Sequence, residues 1–355
     1  MTVPVLLEAD DLERAFPLRW SLRQLISGGE RPVVRALAGV SIRVDRGETL
    51  AVVGESGCGK STLARALVRL LDLDSGQIVF DGEDVRGLRG AALRRYNRRV
   101  QMVFQDPYGS LNPRKTAGET LGEVLRVHRM VPRGRVRDRV AELLDLVRLP
   151  ADAAGRAPHA FSGGQRQRLA IARALAVEPE LLVADEIVSA LDVSVQAEIL
   201  NLLLGMQERL GLAMVFVSHD LRVVRHLAHR VAVMYLGRVV ESGPAGDVFA
   251  APLHPYTQAL LRAAPALEPG RRKRDAALRG ELPSPMRRIA GCPFHTRCPH
   301  VFDRCRTEVP ALHTRPGPDA GAGHGATCHL LDADPASVTP AAPAFADDAE
   351  VGLAS

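Results

Sequence analysis

The stretch Gly54-Glu55-Ser56-Gly57-Cys58-Gly59-Lys60-Ser61-Thr62 constrains this chain more than any other. It satisfies the phosphate-loop pattern G-x-x-x-x-G-K-[ST] without a substitution. Thr49-Leu50-Ala51-Val52-Val53 before it is a short apolar run rich in strand formers. Leu63 to Leu70 after it has helical periodicity. A glycine turn arising by chance would lack that strand-loop-helix setting. The glycines let backbone N–H groups turn inward around phosphate oxygens, and the helix N-terminus adds its positive end. Lys60 is expected to reach the β- and γ-phosphates of a nucleoside triphosphate, and the Ser61 hydroxyl to ligate Mg²⁺.

The rest of the composition suits such a protein and excludes others. A chain of 355 residues, 46% hydrophobic and 25% charged, can bury a large core, and its length suggests two domains. Aromatics at 4% argue against a stacking surface for single-stranded nucleic acid. The net charge of +5 suits anionic ligands or a membrane surface. No run reaches the roughly 18 apolar residues of a membrane span. The N-terminus lacks a signal-peptide pattern, so a cytosolic protein without structural disulfides is expected.

Along the chain, short apolar runs alternate with helical ones. Leu6–Ala9, Val40–Val44, Gln77–Phe80, Val100–Phe104, Leu181–Ala184, Ala213–Val217 and Val231–Tyr235 read as strands. Residues 116–179 are mainly helical, Val136–Leu149 most clearly, and Val195–Leu210 is a further helix. This alternation implies an α/β fold with a mainly parallel sheet. Polar motifs follow the strands, where open α/β sheets bind ligands. Ser27–Pro32 reads as a flexible insert. The basic run Arg271–Arg274 reads as a solvated linker rather than a lipid-binding patch. Residues 331–355, rich in Ala, Pro and Asp, are expected to be disordered.

Asp185-Glu186 ends an apolar strand and supplies the second half of a triphosphate site. Asp185 is expected to hold Mg²⁺ through water, and Glu186 to orient or deprotonate the attacking water. Ser162 is a natural N-cap, and Gly163-Gly164 permit close backbone approach to an anion.

The run Ser162-Gly163-Gly164-Gln165 closely resembles the signature motif of ABC ATPases, and the other elements of that family fall in order. Gln105 matches the Q-loop glutamine, which contacts Mg²⁺ and senses the γ-phosphate. Ser189-Ala190-Leu191-Asp192 matches the D-loop, His219 the switch histidine, and Phe16 lies where an adenine-stacking aromatic belongs. Phe104–Arg114, Val188–Ala197, His254-Pro255-Tyr256-Thr257 and Gly280–Pro285 ahead of Gly291–His295 resemble the oligopeptide/dipeptide branch of importer ATPases. The resemblance covers residues 6 to 330. One departure is Ile187, where the family usually has proline; a looser turn and reduced turnover are expected from it.

The resemblance implies a P-loop NTPase core with antiparallel β and helical subdomains. The nucleotide-binding domain would span residues 1–262, its helical part about 106–179, and a small cysteine-containing extension 263–330. It implies catalytic roles for Glu186, His219 and Gln105, and an ATP site completed by the Ser162–Gln165 segment of a second ABC ATPase subunit, with a heterodimer favoured. It also implies two transmembrane permease subunits, an indirect extracytoplasmic solute-binding protein, and a peripheral position on the cytoplasmic face of the inner membrane. Nucleic acid is not an expected partner. A soluble ABC ATPase acting on ribosomes or DNA is the first rival. The ribosomal type usually carries two cassettes per chain, and the DNA-repair type inserts a long coiled coil for which residues 105–162 leave no room. An exporter ATPase is the second rival, disfavoured by the C-terminal extension.

Cys292, Cys298, Cys305 and Cys328 are spaced C-x5-C-x6-C-x22-C, looser than common zinc pairs. Free thiols, a zinc site recruiting His295, His300 or His324, and a [4Fe–4S] cluster remain open on spacing. The oligopeptide/dipeptide resemblance favours the cluster. Cys58, a variable position of the phosphate loop, is given no redox role.

Overall fold

A computed structural model describes residues 4–18, 32–263, 282–284, 286, 289–315 and 323–332 of the chain. The insert at 27–31, the basic run 271–274 and the tail beyond 332 lie outside these described residues.

Strand β1 (Val5–Pro17) pairs antiparallel with β2 (Val33–Asp45), and β3 (Thr49–Val53) follows, buried along its whole length. Helix α1 (Lys60–Leu67) leads through β4 (Ser75–Phe80) and β5 (Glu83–Asp84) to α2 (Gly90–Arg99) and β6 (Val100–Val103). Four helices come next: α3 (Pro107–Ser110), α4 (Ala117–Val127), α5 (Val136–Leu146) and α6 (Gly163–Leu175). Then β7 (Leu181–Asp185), α7 (Val193–Leu210), β8 (Ala213–Ser218), α8 (Leu221–Leu227) and β9 (Arg230–Tyr235) restore the strand-helix alternation. The chain closes with β10 (Arg238–Pro244), α9 (Ala245–Ala250), α10 (Pro255–Ala263), α11 (Asp303–Thr307), β11 (Leu312–Arg315) and β12 (His324–Thr327).

These strands form two sheets. One is antiparallel in the order β2-β1-β4-β5; the other has eight strands in the order β11-β12-β10-β9-β3-β8-β7-β6. Strands β9, β3, β8, β7 and β6 run parallel, and β10, β12 and β11 extend them antiparallel. Successive residues of a strand point to opposite faces, so a sheet covered on both sides needs continuous apolar runs. Leu50 and Val52 face the core beneath the antiparallel sheet, while Ala51 and Val53 face an aromatic core with Tyr235, Tyr256 and Phe294. Leu182 and Ala184 of β7, and Met214 and Phe216 of β8, face a third core built with the helical segment.

The helical segment holds itself together through Leu121, Leu125, Val140, Leu144, Leu169 and Ile171, all buried. Helix α4 starts on a capping box between Thr116 and Glu119, which satisfies donors at its first turn. The cysteine-bearing segment joins the main sheet. Its strand β12 pairs with β10, Glu241 opposite Ala326 and Ser242 opposite Gly325, so it widens the main sheet.

Candidate functional site

The phosphate loop turns between β3 and α1, and two glycines make the turn feasible. Gly54 has φ 153° and Gly59 φ 110°. A Cβ at Gly54 would lie 2.2 Å from the Met234 carbonyl oxygen, and one at Gly59 2.2 Å from that of Ala36. Side chains at either position would push the loop off the strands that carry it. The turn after β9 grips the loop from below: the Gly237 N–H donates to the Cys58 carbonyl at 2.8 Å.

Within the loop, Lys60 is buried and its Nζ donates to the carbonyl oxygens of Gly54 (2.8 Å) and Glu55 (3.0 Å). The cation thus spans the loop through two carbonyls that phosphate oxygens can replace. Cys58 is buried beside it; burial pushes its thiol up from the ordinary range, consistent with a packing role. Ser56, Gly57 and Thr62 complete the loop and the first turn of α1.

Ser61 Oγ donates to Asp185 Oδ1 at 3.0 Å, joining the loop to the end of β7. Asp185 is 4% exposed, and burial, with Glu186 next to it, raises its carboxyl above the usual range. A hydroxyl and a poorly solvated carboxylate side by side form a hard, all-oxygen donor set suited to Mg²⁺.

Glu186 occupies the left-handed region at φ 48°, its N–H donating to the Val217 carbonyl of β8 at 3.0 Å. Non-glycine residues held there are uncommon and mark turns fixed by their surroundings. The turn puts the Glu186 carboxylate between two other elements. Gln105 Nε2, after β6, donates to Glu186 Oε2 at 3.2 Å and to Ser189 Oγ at 3.3 Å. His219 Nδ1, after β8, stands 3.4 Å from Glu186 Oε1. Ser189 Oγ donates to the Glu186 carbonyl at 2.8 Å. Ile187 is buried at 2% exposure in the helical core, so packing anchors this turn where a proline ring would stiffen it.

Sequence candidates from β3, β6, β7 and β8 therefore meet at one sheet edge. Ser162–Gln165 stays within its own segment. Ser162 Oγ accepts from the Gln165 N–H at 3.3 Å, Gln165 Oε1 accepts from the Ser162 N–H at 3.1 Å, and both residues are otherwise exposed or half-buried. Gly164 lies so close to α7 that a Cβ would sit 2.3 Å from Val195 Cγ1. Phe16, next to last in β1, lies opposite Val34, two residues from Ala36, whose carbonyl abuts Gly59; Arg14 lies 5.0 Å over its ring.

The sequence pattern described as "ABC transporter" matches residues 37–189, and that described as "Oligopeptide/dipeptide transporter, C-terminal region" matches residues 240–305. A probable peptide ABC transporter ATP-binding protein, y4tS of Sinorhizobium fredii, is 51% identical over 340 residues, 95% of this chain and 93% of the relative. The chain belongs to the ATP-binding subunits of ABC transporters. The di/tripeptide transport ATP-binding protein DppF of Pseudomonas aeruginosa is 50% identical over 86% of this chain and 93% of its own length. The oligopeptide transport ATP-binding protein AppF of Bacillus subtilis is 47% identical over 92% of this chain and 97% of its own. Among solved structures, cbiO1 of Clostridium perfringens superposes with TM-score 0.59 at 30% identity, covering 70% of this chain and 91% of that one. The cassette MJ0796, in a dimeric post-hydrolysis state with ADP and Pi, superposes with TM-score 0.59 at 28% identity, covering 68% and 99%. This cassette is accordingly an ATPase of the transport type, and none of the described helices is long and apolar enough to cross a membrane.

The iron–sulfur expectation meets a different result. Among the described residues no group of three or more His, Cys, Asp or Glu side chains is placed to hold a metal ion. The four thiols share a neighbourhood: Cys292, Cys298 and Cys305 oppose ionisation of Cys328, and Cys292 and Cys305 that of Cys298. Cys292 and Cys305 are buried in the aromatic core with Tyr235, Tyr256 and Phe294, and Cys298 packs against it. Burial pushes Cys298 up to about 11 and Cys328 up to about 12, with neighbouring thiols adding to the rise. As placed, the described residues support neither the cluster nor zinc. Absorbance near 400 nm in anaerobically purified protein would reopen the assignment; thiols used only for packing give none.

Two further residues reach Glu55 by contacts that nothing in the sequence marks. The Tyr256 hydroxyl accepts from the Glu55 N–H at 2.9 Å, and Arg297 grips the Glu55 carboxylate with two hydrogen bonds. They lie 201 and 242 positions from Glu55, too far for any spacing rule.

Proposed function

We propose that this ATPase powers import of oligopeptides, dipeptides or similar small solutes through two transmembrane permease subunits. The observation that carries the hydrolytic half is the meeting of Lys60, Ser61, Asp185, Gln105, Glu186 and His219 at one sheet edge. Peptide as the solute class is supported by the names of three relatives matched over most of their lengths.

Each residue then has a role. The loop Gly54–Thr62, with Gly54, Glu55, Ser56, Gly57, Cys58, Gly59, Lys60, Ser61 and Thr62, wraps the triphosphate, and Lys60 trades its two carbonyls for phosphate oxygens. Ser61 and Asp185, with Gln105, would hold Mg²⁺, which supplies charge neutralisation at the phosphates. Glu186 takes the proton of the attacking water. Gln105 and His219 fix its carboxylate from either side, so a change at the γ-phosphate is felt by the segment after Gln105. Phe16 stacks on the base.

Ser162, Gly163, Gly164 and Gln165 serve the nucleotide of a second ATPase subunit, with a heterodimer favoured over a pair of identical chains. The dimeric neighbour carrying ADP and Pi supports such pairing. The assembly lies on the cytoplasmic face of the inner membrane, is fed by an extracytoplasmic binding protein, and involves no nucleic acid. Co-purification with two multi-spanning permeases, and stimulation of the reconstituted ATPase by peptide with its binding protein, is the expected result. ATPase stimulated by nucleic acid, without permease association, would overturn the reading.

A further inference from the structure

The C-terminal segment reaches back to the nucleotide site through the Arg297 side chain. Arg297 Nη1 donates to Glu55 Oε2 at 2.6 Å and Nη2 to Glu55 Oε1 at 3.1 Å. The Arg297 side chain is only 4% exposed and that of Glu55 26%. A two-pronged pair of this kind is directional as well as strong, because the planar guanidinium matches the carboxylate. The guanidinium is itself held in place. The Arg297 N–H donates to the Phe294 carbonyl at 3.0 Å, and the Phe294 ring packs on Tyr235 and Tyr256 at centroid distances of 5.3 and 5.4 Å. Tyr256 in turn accepts the Glu55 N–H. Glu55 is thus gripped at its side chain and at its backbone by residues that follow β9 and β10 in the chain.

The chemistry of the loop makes that grip consequential. Glu55 is an acid in a loop built for a polyanion, and its own carbonyl is one of the two that hold Lys60. Left unpaired, its carboxylate would repel the triphosphate and compete for the Lys60 cation.

We propose that Arg297 is a positioning residue for the phosphate loop, neutralising and orienting Glu55 so that nucleotide affinity depends on the C-terminal segment. This rests on the reading of Gly54–Thr62 as the triphosphate site. It gives the segment containing Cys292, Cys298 and Cys305 a direct mechanical connection to ATP binding, with Cys298 adjoining Arg297 in sequence.

The test titrates full-length protein with a fluorescent ATP analogue and Mg²⁺, with a thermal melt to confirm folding. Lys60→Ala should abolish measurable binding; retained binding would overturn the phosphate-loop reading and this proposal with it. Arg297→Gln keeps side-chain donors without the charge and should weaken binding roughly tenfold, the loss of about one strong charged contact. Arg297→Lys keeps the charge without the fork and should give a smaller loss; it is the readout if Arg297→Gln does not fold. The deciding variant is Arg297→Gln combined with Glu55→Gln. If Arg297 acts by compensating Glu55, removing both charges restores affinity to within about twofold, as expected when a pair is deleted together. An Arg297 that merely packs leaves the double variant as weak as the single. That outcome, or wild-type affinity in Arg297→Gln or Arg297→Lys while Lys60→Ala has lost binding, overturns the positioning role and leaves the site reading intact.

Discussion

The phosphate loop and the signature segment are both glycine-bearing turns that open a helix, yet the chain treats them oppositely. Around Gly54–Thr62 the polar groups are wired into the rest of the molecule: Lys60 to two loop carbonyls, Ser61 to Asp185, Glu55 to Arg297 and Tyr256. At Ser162–Gln165 the side chains are wired to one another in a capping box, and the turn faces outward. The phosphate loop completes its electrostatics within one chain. The signature turn is a preformed helix N-terminus, its capping box closed within the segment and its positive end outward. The contrast supports the proposal that the phosphate loop serves a nucleotide on this chain and the signature turn one on a second subunit.

Glu186→Gln sharpens that contrast most. It removes the proton acceptor while keeping the side chain's shape and its contact with Gln105, so turnover by the assembled transporter should fall by about 10² to 10⁴. ATP binding by the chain should survive, read by equilibrium titration. Turnover near wild type would remove Glu186 as the base.

Gly164→Ala attacks the other half. The new Cβ meets Val195 Cγ1 at 2.3 Å, so α6 and α7 must separate, at about 1–3 kcal/mol. Nucleotide binding to the isolated chain should hold, whereas turnover in the assembly should fall roughly tenfold, the equivalent of about 1.4 kcal/mol. Equal losses in both assays would break the division between the two halves.

Asp185→Asn gives the smallest effect, and its sign is opposite in two assays. Burial raises the folded-state carboxyl above its unfolded value, so protonation favours the fold. That contribution is complete below the unfolded pKa and is lost as pH rises through the folded one, leaving a stability cost at neutral pH. A neutral amide carries no such cost, so the nucleotide-free variant should melt about 2 °C higher than wild type at neutral pH. It should lose the further rise that Mg²⁺ and ATP give the wild type. A lower melting point without ligand would show that partners in the fold already offset the burial of the Asp185 charge.

Much of the core was legible because central parallel strands must be apolar on both faces. Thr49–Val53 has the bounds expected of it, and Leu181–Asp185 and Ala213–Ser218 each run one residue beyond expectation. The antiparallel strands were less so. Strand β1 continues to Pro17 because pairing with β2 carries Asp10, Asp11 and Glu13 along an exposed face that local apolarity does not mark. Strands β11 and β12 are four residues each and hold His, Gly, Thr and Arg, so pairing makes them strands: β12 with β10, and β11 with β12. The four cysteines suggested a ligand set by type and order, whereas the fold buries Cys292 and Cys305 among aromatic rings.

By itself the sequence determined what the phosphate loop binds and which acids stand near it. Local residue chemistry suffices there: only glycine tolerates the φ of Gly54 and Gly59, and only a lysine at that position can span the loop. The tertiary structure alone decided what holds that loop in shape. Arg297 and Tyr256 come to Glu55 because β10, β12 and the aromatic core around Phe294 fold the C-terminal segment back beneath the site. A contact closed over 242 residues leaves no periodicity to read, since its warrant is packing rather than spacing.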